Sequence, residues 1–256
     1  EKYISIKNKT TNIILNTKRG LAIKELSFFS NKFLPLIGTL EKGHFLNINH
    51  GVDYYSGGLI IDDLKYMERF TDLKNIVPQF HSTKDKDYIF SKINLYKDFD
   101  LNKIIEISKN KEQIKYHCYF NKLKRPFGTF RVGNFTFIEN NWSNIKLKVK
   151  NGSNEYEIFD LNKDFDHSAS VSQFVSSNCS LGCTNGKIIF YDDNSSLTFS
   201  WDKSECSLVP MLKRQKVNKK VYLRLIFSLS ELDDTFKMNG DILPFTIKIK
   251  HEIIKN

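Results

Sequence analysis

The chain has 256 residues, 40% of them hydrophobic and 13% aromatic, which is enough to bury a core and too apolar for a disordered chain. The formal net charge is +10, but the lysines are spread along the whole length, which reads as compositional drift rather than a patch selected for nucleic acid or an anionic membrane. No apolar run approaches the ~20 residues that span a bilayer.

Period-two alternation dominates from the start. Strands are predicted at Tyr3 to Lys7 and Asn12 to Asn16. Gly20, after Arg19, permits a tight turn into a strand from Leu21 to Phe28. The stretch "PLIGTLEKGHFLNINHGVDYYSGGLI" then crowds five glycines with His50, Asp53, Tyr54 and Tyr55, and is expected to be irregular loop. "TDLKNIV", residues 71 to 77, reads as one short helix or a turn.

Further strands are expected at Tyr88 to Leu95, Lys103 to Ser108 and Phe135 to Glu139. "QIKYHCYFN" puts Ile114, Tyr116, Cys118 and Phe120 on one face and Lys115, His117 and Tyr119 on the other. "IKLKVK" at 145 to 150 alternates throughout. Glu155 to Phe159, Lys187 to Tyr191 and Leu197 to Trp201 follow, with Trp201 in phase with Leu197 and Phe199 and so assigned to the core. "KRQKVNKK", residues 213 to 220, reads as a hairpin tip leading into "VYLRLIFS", and "SELDD" as a turn or helical start. "FTIKIK" closes the series. Turn signals such as "NGSN", "TNG" and "DDNSS" separate the strands. The fold class that follows is all-β, a large antiparallel two-sheet sandwich formed by residues 1–256 as a single domain.

Four cysteines, Cys118, Cys179, Cys183 and Cys206, are too few for a disulfide scaffold, and "CSLGC" lacks the second pair of a zinc site. No metal and no cofactor are expected. Reduced thiols favour the cytoplasm; no secretory signal is seen, which says little about location in a chain that starts at Glu1. The start at Glu1 rather than Met reads as a trimmed chain or one part of a longer protein.

"NTKRGLAIKELSF", "PLIGTLEKGHF", "HGVDYYSGG" and "YLRLIFSLSELDDT" together resemble, in patches, the accessory β-domain of bacterial proteins related to glycoside hydrolase family 57. That domain is similar to the galactose mutarotase-like supersandwich. The resemblance implies a carbohydrate partner and a catalytic domain elsewhere in the same longer protein. Arg19, His50, Asp53, Tyr54, Tyr55 and Trp142 are the candidate carbohydrate-binding residues: the rings offer flat apolar faces, and the polar groups offer hydrogen bonds to sugar hydroxyls. The true mutarotases use a histidine and a glutamate as acid and base, for which His50, His167 and Glu231 are the candidates here. Three readings stay open at this point: a glycan-binding module, an aldose mutarotase or epimerase, and a structural module that docks on a partner domain.

Overall fold

The computed structural model describes residues 2–39, 55–96, 99–121, 124, 126–138, 141–162, 180–217, 220–231 and 241–254. In chain order the strands are β1 (Tyr3–Lys7), β2 (Thr11–Asn16), β3 (Ala22–Phe28), β4 (Pro35–Gly38), β5 (Gly58–Asp63), β6 (Glu68–Thr71), β7 (Gln79–Ser82), β8 (Lys86–Tyr96) and β9 (Phe99–Ser108). They continue as β10 (Gln113–Phe120), β11 (Gly128–Phe137), β12 (Lys146–Val149), β13 (Glu157–Asp160), β14 (Lys187–Tyr191), β15 (Ser195–Ser200), β16 (Val209–Val217), β17 (Lys220–Ser230) and β18 (Phe245–Ile253).

These form two antiparallel sheets. The first runs β1-β2-β3-β4-β11-β17-β16, with β5 paired to β11 and β6 to β5; the second runs β13-β12-β14-β15-β18-β10-β9-β8-β7. The expected two-sheet sandwich is therefore the observed architecture. Its core lies between the sheets. Ile13, Leu15, Leu26, Phe130, Phe135, Phe227 and their neighbours on the first sheet meet Ile105, Tyr116, Phe199, Phe245 and Ile249 on the second. Edge-to-face contacts such as Phe120–Phe130, at 5.5 Å and 79°, interlock the two faces. Trp201 is buried and packs on Phe227.

One irregularity shapes the first sheet. Along a single edge, β11 pairs first with β5, from Gly128 to Gly133, and then with β4, at Thr136 and Phe137. The exchange falls at Gly133 and Asn134, both left-handed, where β11 also shifts register against β17. Ser56 closes the seam: its hydroxyl donates to the Gly38 carbonyl at 2.6 Å and accepts from the Thr136 amide at 3.0 Å.

Two expectations need correction. The segment predicted to be loop contains two strands, β4 and the start of β5. β5 is buried along nearly its whole length, so it lacks the alternation by which half-buried strands are read. "TDLKNIV" forms no helix, because its backbone bonds go elsewhere. Gly20 donates to the Lys74 carbonyl at 2.8 Å and Ile76 to the Thr17 carbonyl at 2.9 Å, which ties the segment to the turn before β3. The basic "KRQKVNKK" is the expected hairpin, β16 and β17 closing at Val217 opposite Lys220.

Candidate functional site

A cleft of about 310 Å³ opens at the β1–β2–β3 end of the first sheet, lined by Lys2, Tyr3, Asn16, Lys18, Arg19, Lys24, Thr39 and Tyr55. Its walls follow from local chemistry. Asn16 ends β2 and caps the short 3-10 turn Thr17–Arg19, accepting from the Lys18 amide at 3.0 Å. Gly20 terminates that turn at φ 59, and a Cβ there would lie 1.8 Å from the Asp72 carbonyl oxygen, so only glycine fits. The turn thus fixes where Arg19 leaves the sheet.

The opposite wall is Tyr55, held by the residue after it. The Ser56 amide donates to Thr39 Oγ1 at 3.0 Å, and the Ser56 carbonyl accepts from the Ile23 amide at 2.7 Å. Thr39 Oγ1 in turn donates to the Ile23 carbonyl at 2.7 Å. With its neighbour pinned to β3 and to the end of β4, Tyr55 is brought to Arg19. Arg19 Nε donates to the Tyr55 hydroxyl at 3.4 Å, and the guanidinium carbon lies 5.8 Å from the ring centre. Lys2 Nζ sits 5.0 Å from the ring centre of Tyr3, the next residue, at the start of β1. The cleft combines two aromatic rings with hydrogen-bonding side chains.

Of the predicted residues, Arg19 and Tyr55 meet in this cleft. His50, Asp53, Tyr54 and His167 lie outside the described residues. Trp142 lines a different cavity, of about 180 Å³, with Phe137, Ile145, Leu161, Asn162, Arg214 and Leu223. Its indole N–H donates to the Leu36 carbonyl at 3.4 Å and its ring packs 5.8 Å from Phe137. Glu231 follows β17, and both its oxygens accept from Arg131, at 2.8 and 2.6 Å. This fork lies on the face of the first sheet turned away from the core, which is polar there: Arg224 donates to Thr136 at 3.1 Å, and Asp62 accepts from Thr129 at 3.1 Å and from Arg69.

Several polar groups outside the cleft invite a catalytic reading and do not support one. Ser30, Glu112 and His251 converge, with His251 Nδ1 2.6 Å from Glu112 and 3.2 Å from Ser30 Oγ. A nucleophilic triad needs serine and acid on opposite ring nitrogens. Here both are on Nδ1, and the ring is buried flat against Phe28. The Cys118 thiol is fully buried, and burial pushes it up to about 12, which removes it as a nucleophile. Among the described residues no group of three His, Cys, Asp or Glu side chains is placed to hold a metal ion, and no helix is long and apolar enough to cross a membrane.

Sequence reasoning missed Lys2, Lys18 and Lys24 as members of the cleft. The signal was there only in the pairing: Tyr3 opposite Asn16 and Asn16 opposite Ala22 bring three separate basic segments to one end of the sheet.

No family model matches the sequence, nor does any curated protein. Solved structures do match in shape. A galactose mutarotase-like protein from Clostridium acetobutylicum superposes with TM-score 0.59 at 10% identity, over 98% of this chain and 95% of that one. The fold is a galactose mutarotase-like β-sandwich. An α-N-acetylgalactosaminidase from Bifidobacterium bifidum matches with TM-score 0.61 at 8% identity, over 98% of this chain but 36% of its own. A heparan sulfate lyase from Pedobacter heparinus matches with TM-score 0.51 at 11% identity, over 99% of this chain and 36% of its own. In the two enzymes, then, the galactose mutarotase-like sandwich corresponds to about a third of a longer chain.

Proposed function

We propose that this sandwich is a carbohydrate-associated domain that binds glycan in the cleft between Arg19 and Tyr55. The observation that carries the reading is the pairing itself. The Ser56 seam and the turn before Gly20 bring the Tyr55 hydroxyl within 3.4 Å of Arg19 Nε, with the guanidinium carbon 5.8 Å from the ring centre. A pyranose presents an apolar face for the ring and hydroxyls for Arg19, Asn16 and Thr39. Asp53, Tyr54 and His50 lie outside the described residues and stay proposed as glycan-binding residues on the sequence alone. The resemblance to the accessory domain of proteins related to glycoside hydrolase family 57 extends the reading: the domain supports a glycoside-hydrolase-like catalytic domain. The two longer enzymes of like fold support that extension. Affinity electrophoresis of the wild-type chain and Tyr55→Ala through gels of different polysaccharides tests the site; retardation that is abolished in Tyr55→Ala is the expected result, and equal mobility of the two proteins opposes it.

A second reading, an aldose mutarotase or epimerase, is favoured by the position of Glu231 on the polar face of the first sheet. It needs a histidine acid, His50 or His167, opposite that carboxylate. Polarimetry on freshly dissolved aldoses tests it: the reading expects faster mutarotation that Glu231→Gln abolishes, and unchanged rates with the wild-type chain dismiss it.

A further inference from the structure

The lining of the Arg19–Tyr55 cleft carries four cationic side chains, Lys2, Lys18, Arg19 and Lys24, and the described lining residues include no aspartate or glutamate. From this we infer that the ligand is an anionic saccharide, one whose rings carry carboxylate or sulfate groups; the inference rests on the glycan-binding reading and names its substrate class.

The charge is assembled by the fold rather than by a basic run. Lys2 precedes β1, Lys18 and Arg19 follow β2, and Lys24 lies on β3, so three consecutive strands deliver cations to one opening. Lys2, Lys18 and Arg19 are exposed, whereas Lys24 is half-buried. Lys2, Lys18 and Arg19 are like charges at one opening, and an anion that enters relieves their mutual repulsion by interacting with all three. A neutral glycan gives no such relief. Tyr3 and Tyr55 supply ring faces beside the charges, so the site suits a sugar bearing an acidic group rather than a bare anion. The guanidinium of Arg19 matches carboxylate and sulfate oxygens by its planar fork, while the lysines act as point charges.

The test is retardation of the full chain, in 0.15 M salt, on gels containing a polyuronate, dextran sulfate or neutral dextran, with inorganic polyphosphate as a competitor. Three proteins are compared: wild type, Lys2→Gln/Lys18→Gln, and the control Lys65→Gln/Lys111→Gln, which removes the same charge at exposed positions outside the cleft. The expected result is retardation by the polyuronate, by dextran sulfate or by both, and little by neutral dextran. The cleft variant binds roughly tenfold more weakly and the control binds as wild type. Which acidic polymer binds separates carboxylate from sulfate recognition. Equal weakening in both variants, or full displacement by polyphosphate at equal charge, makes this net charge only and overturns the inference. Retardation by neutral dextran that matches the acidic polymers overturns the anionic class while leaving glycan binding intact. No retardation on any gel removes both. Thermal melting of the variants confirms that they remain folded.

Discussion

Lys103 on β9 and Asp72 after β6 form an ion pair fully buried between the two sheets. The lysine ammonium also donates to the carbonyls of Gly20 at 2.7 Å and Gly57 at 3.0 Å, while Asp72 accepts from the Leu59 amide at 2.9 Å. Tyr116 donates to the same Gly57 carbonyl at 2.8 Å. Burial pushes the Asp72 carboxyl up; Lys103, by its charge and its hydrogen bond, and the Leu59 amide pull it partly back. Gly20 and Gly57 are the neighbours of Arg19 and of the Tyr55–Ser56 wall. The buried pair therefore anchors from below the two segments that form the cleft.

Breaking this pair from one side leaves a lone charge in the core. Lys103→Met is expected to destabilise the fold by about 3–5 kcal/mol. Lys103→Met with Asp72→Asn, which removes both charges and keeps an acceptor for the Leu59 amide, is expected to recover part of that loss. Urea denaturation of the three proteins measures it; a single variant within about 1 kcal/mol of wild type would show that the pair does not carry this cost.

Gly20→Ala adds a Cβ 1.8 Å from the Asp72 carbonyl oxygen at a left-handed φ of 59. The strain of the backbone alone is about 1–3 kcal/mol. The collision must also move the turn that carries Arg19. Lower stability together with weaker glycan binding is expected, by denaturation and by gel retardation. Unchanged binding would separate the turn from the site.

Acid should destabilise the protein in two windows. Burial holds His117 below its usual 6.5, against the pull of Glu106. The unfolded chain then takes up its proton first, and stability falls as pH drops below about 6.5. For Glu106 burial works upward, but the Lys86 hydrogen bond and the charges of Lys115, Lys86 and His117 outweigh it and hold the carboxyl below its usual 4.5. Its contribution is present above about 4.5 and is lost as pH falls through the folded value. Denaturation series from pH 7 to 3 should show a shallow decline and then a steeper one; His117→Gln should flatten the first and Glu106→Gln the second. Slopes that neither variant changes would contradict the assignment.

Cys118 lies between the sheets, with its thiol pushed up to about 12. Native protein treated with a thiol alkylator should be modified at Cys183 or Cys206, which are partly exposed, well before Cys118. Peptide mass mapping reads the order. Early labelling of Cys118 would mean that the sandwich opens locally at β10.

Most of the sheet framework is legible in the sequence, because half-buried strands alternate. β10 keeps Ile114, Tyr116 and Cys118 inward, and β18 keeps Phe245, Ile247 and Ile249 inward, as the period requires. The strands that escaped lack that signal for identifiable reasons. β5 is buried on both faces, β7 is exposed along its whole length at the sheet edge, and β16 carries Pro210 near its start. Lys103 was visible as an anomaly: it occupies the inward phase shared by Leu101, Ile105 and Ile107, where a lysine needs a partner. That its partner is Asp72 depends on where β6 ends in space, which no local pattern states.

The cleft was half legible. Glycines and tyrosines around residue 55 marked an unusual loop, and Arg19 before Gly20 marked a turn. Their meeting depends on Ser56 filling the seam where β11 changes partners, a long-range feature. The scattered lysines looked like drift because sheet pairing, not sequence proximity, gathers them.

Glycan is proposed to bind between Arg19 and Tyr55. The most direct test is the dissociation constant of the wild-type chain and of Tyr55→Ala for the polysaccharide that retards the wild type most, with Tyr66→Ala as a control exposed aromatic elsewhere on the surface. The expected result is measurable binding by the wild type, roughly tenfold weaker binding by Tyr55→Ala, and no change for Tyr66→Ala. No binding to any polysaccharide, or a Tyr55→Ala constant equal to wild type, would contradict it.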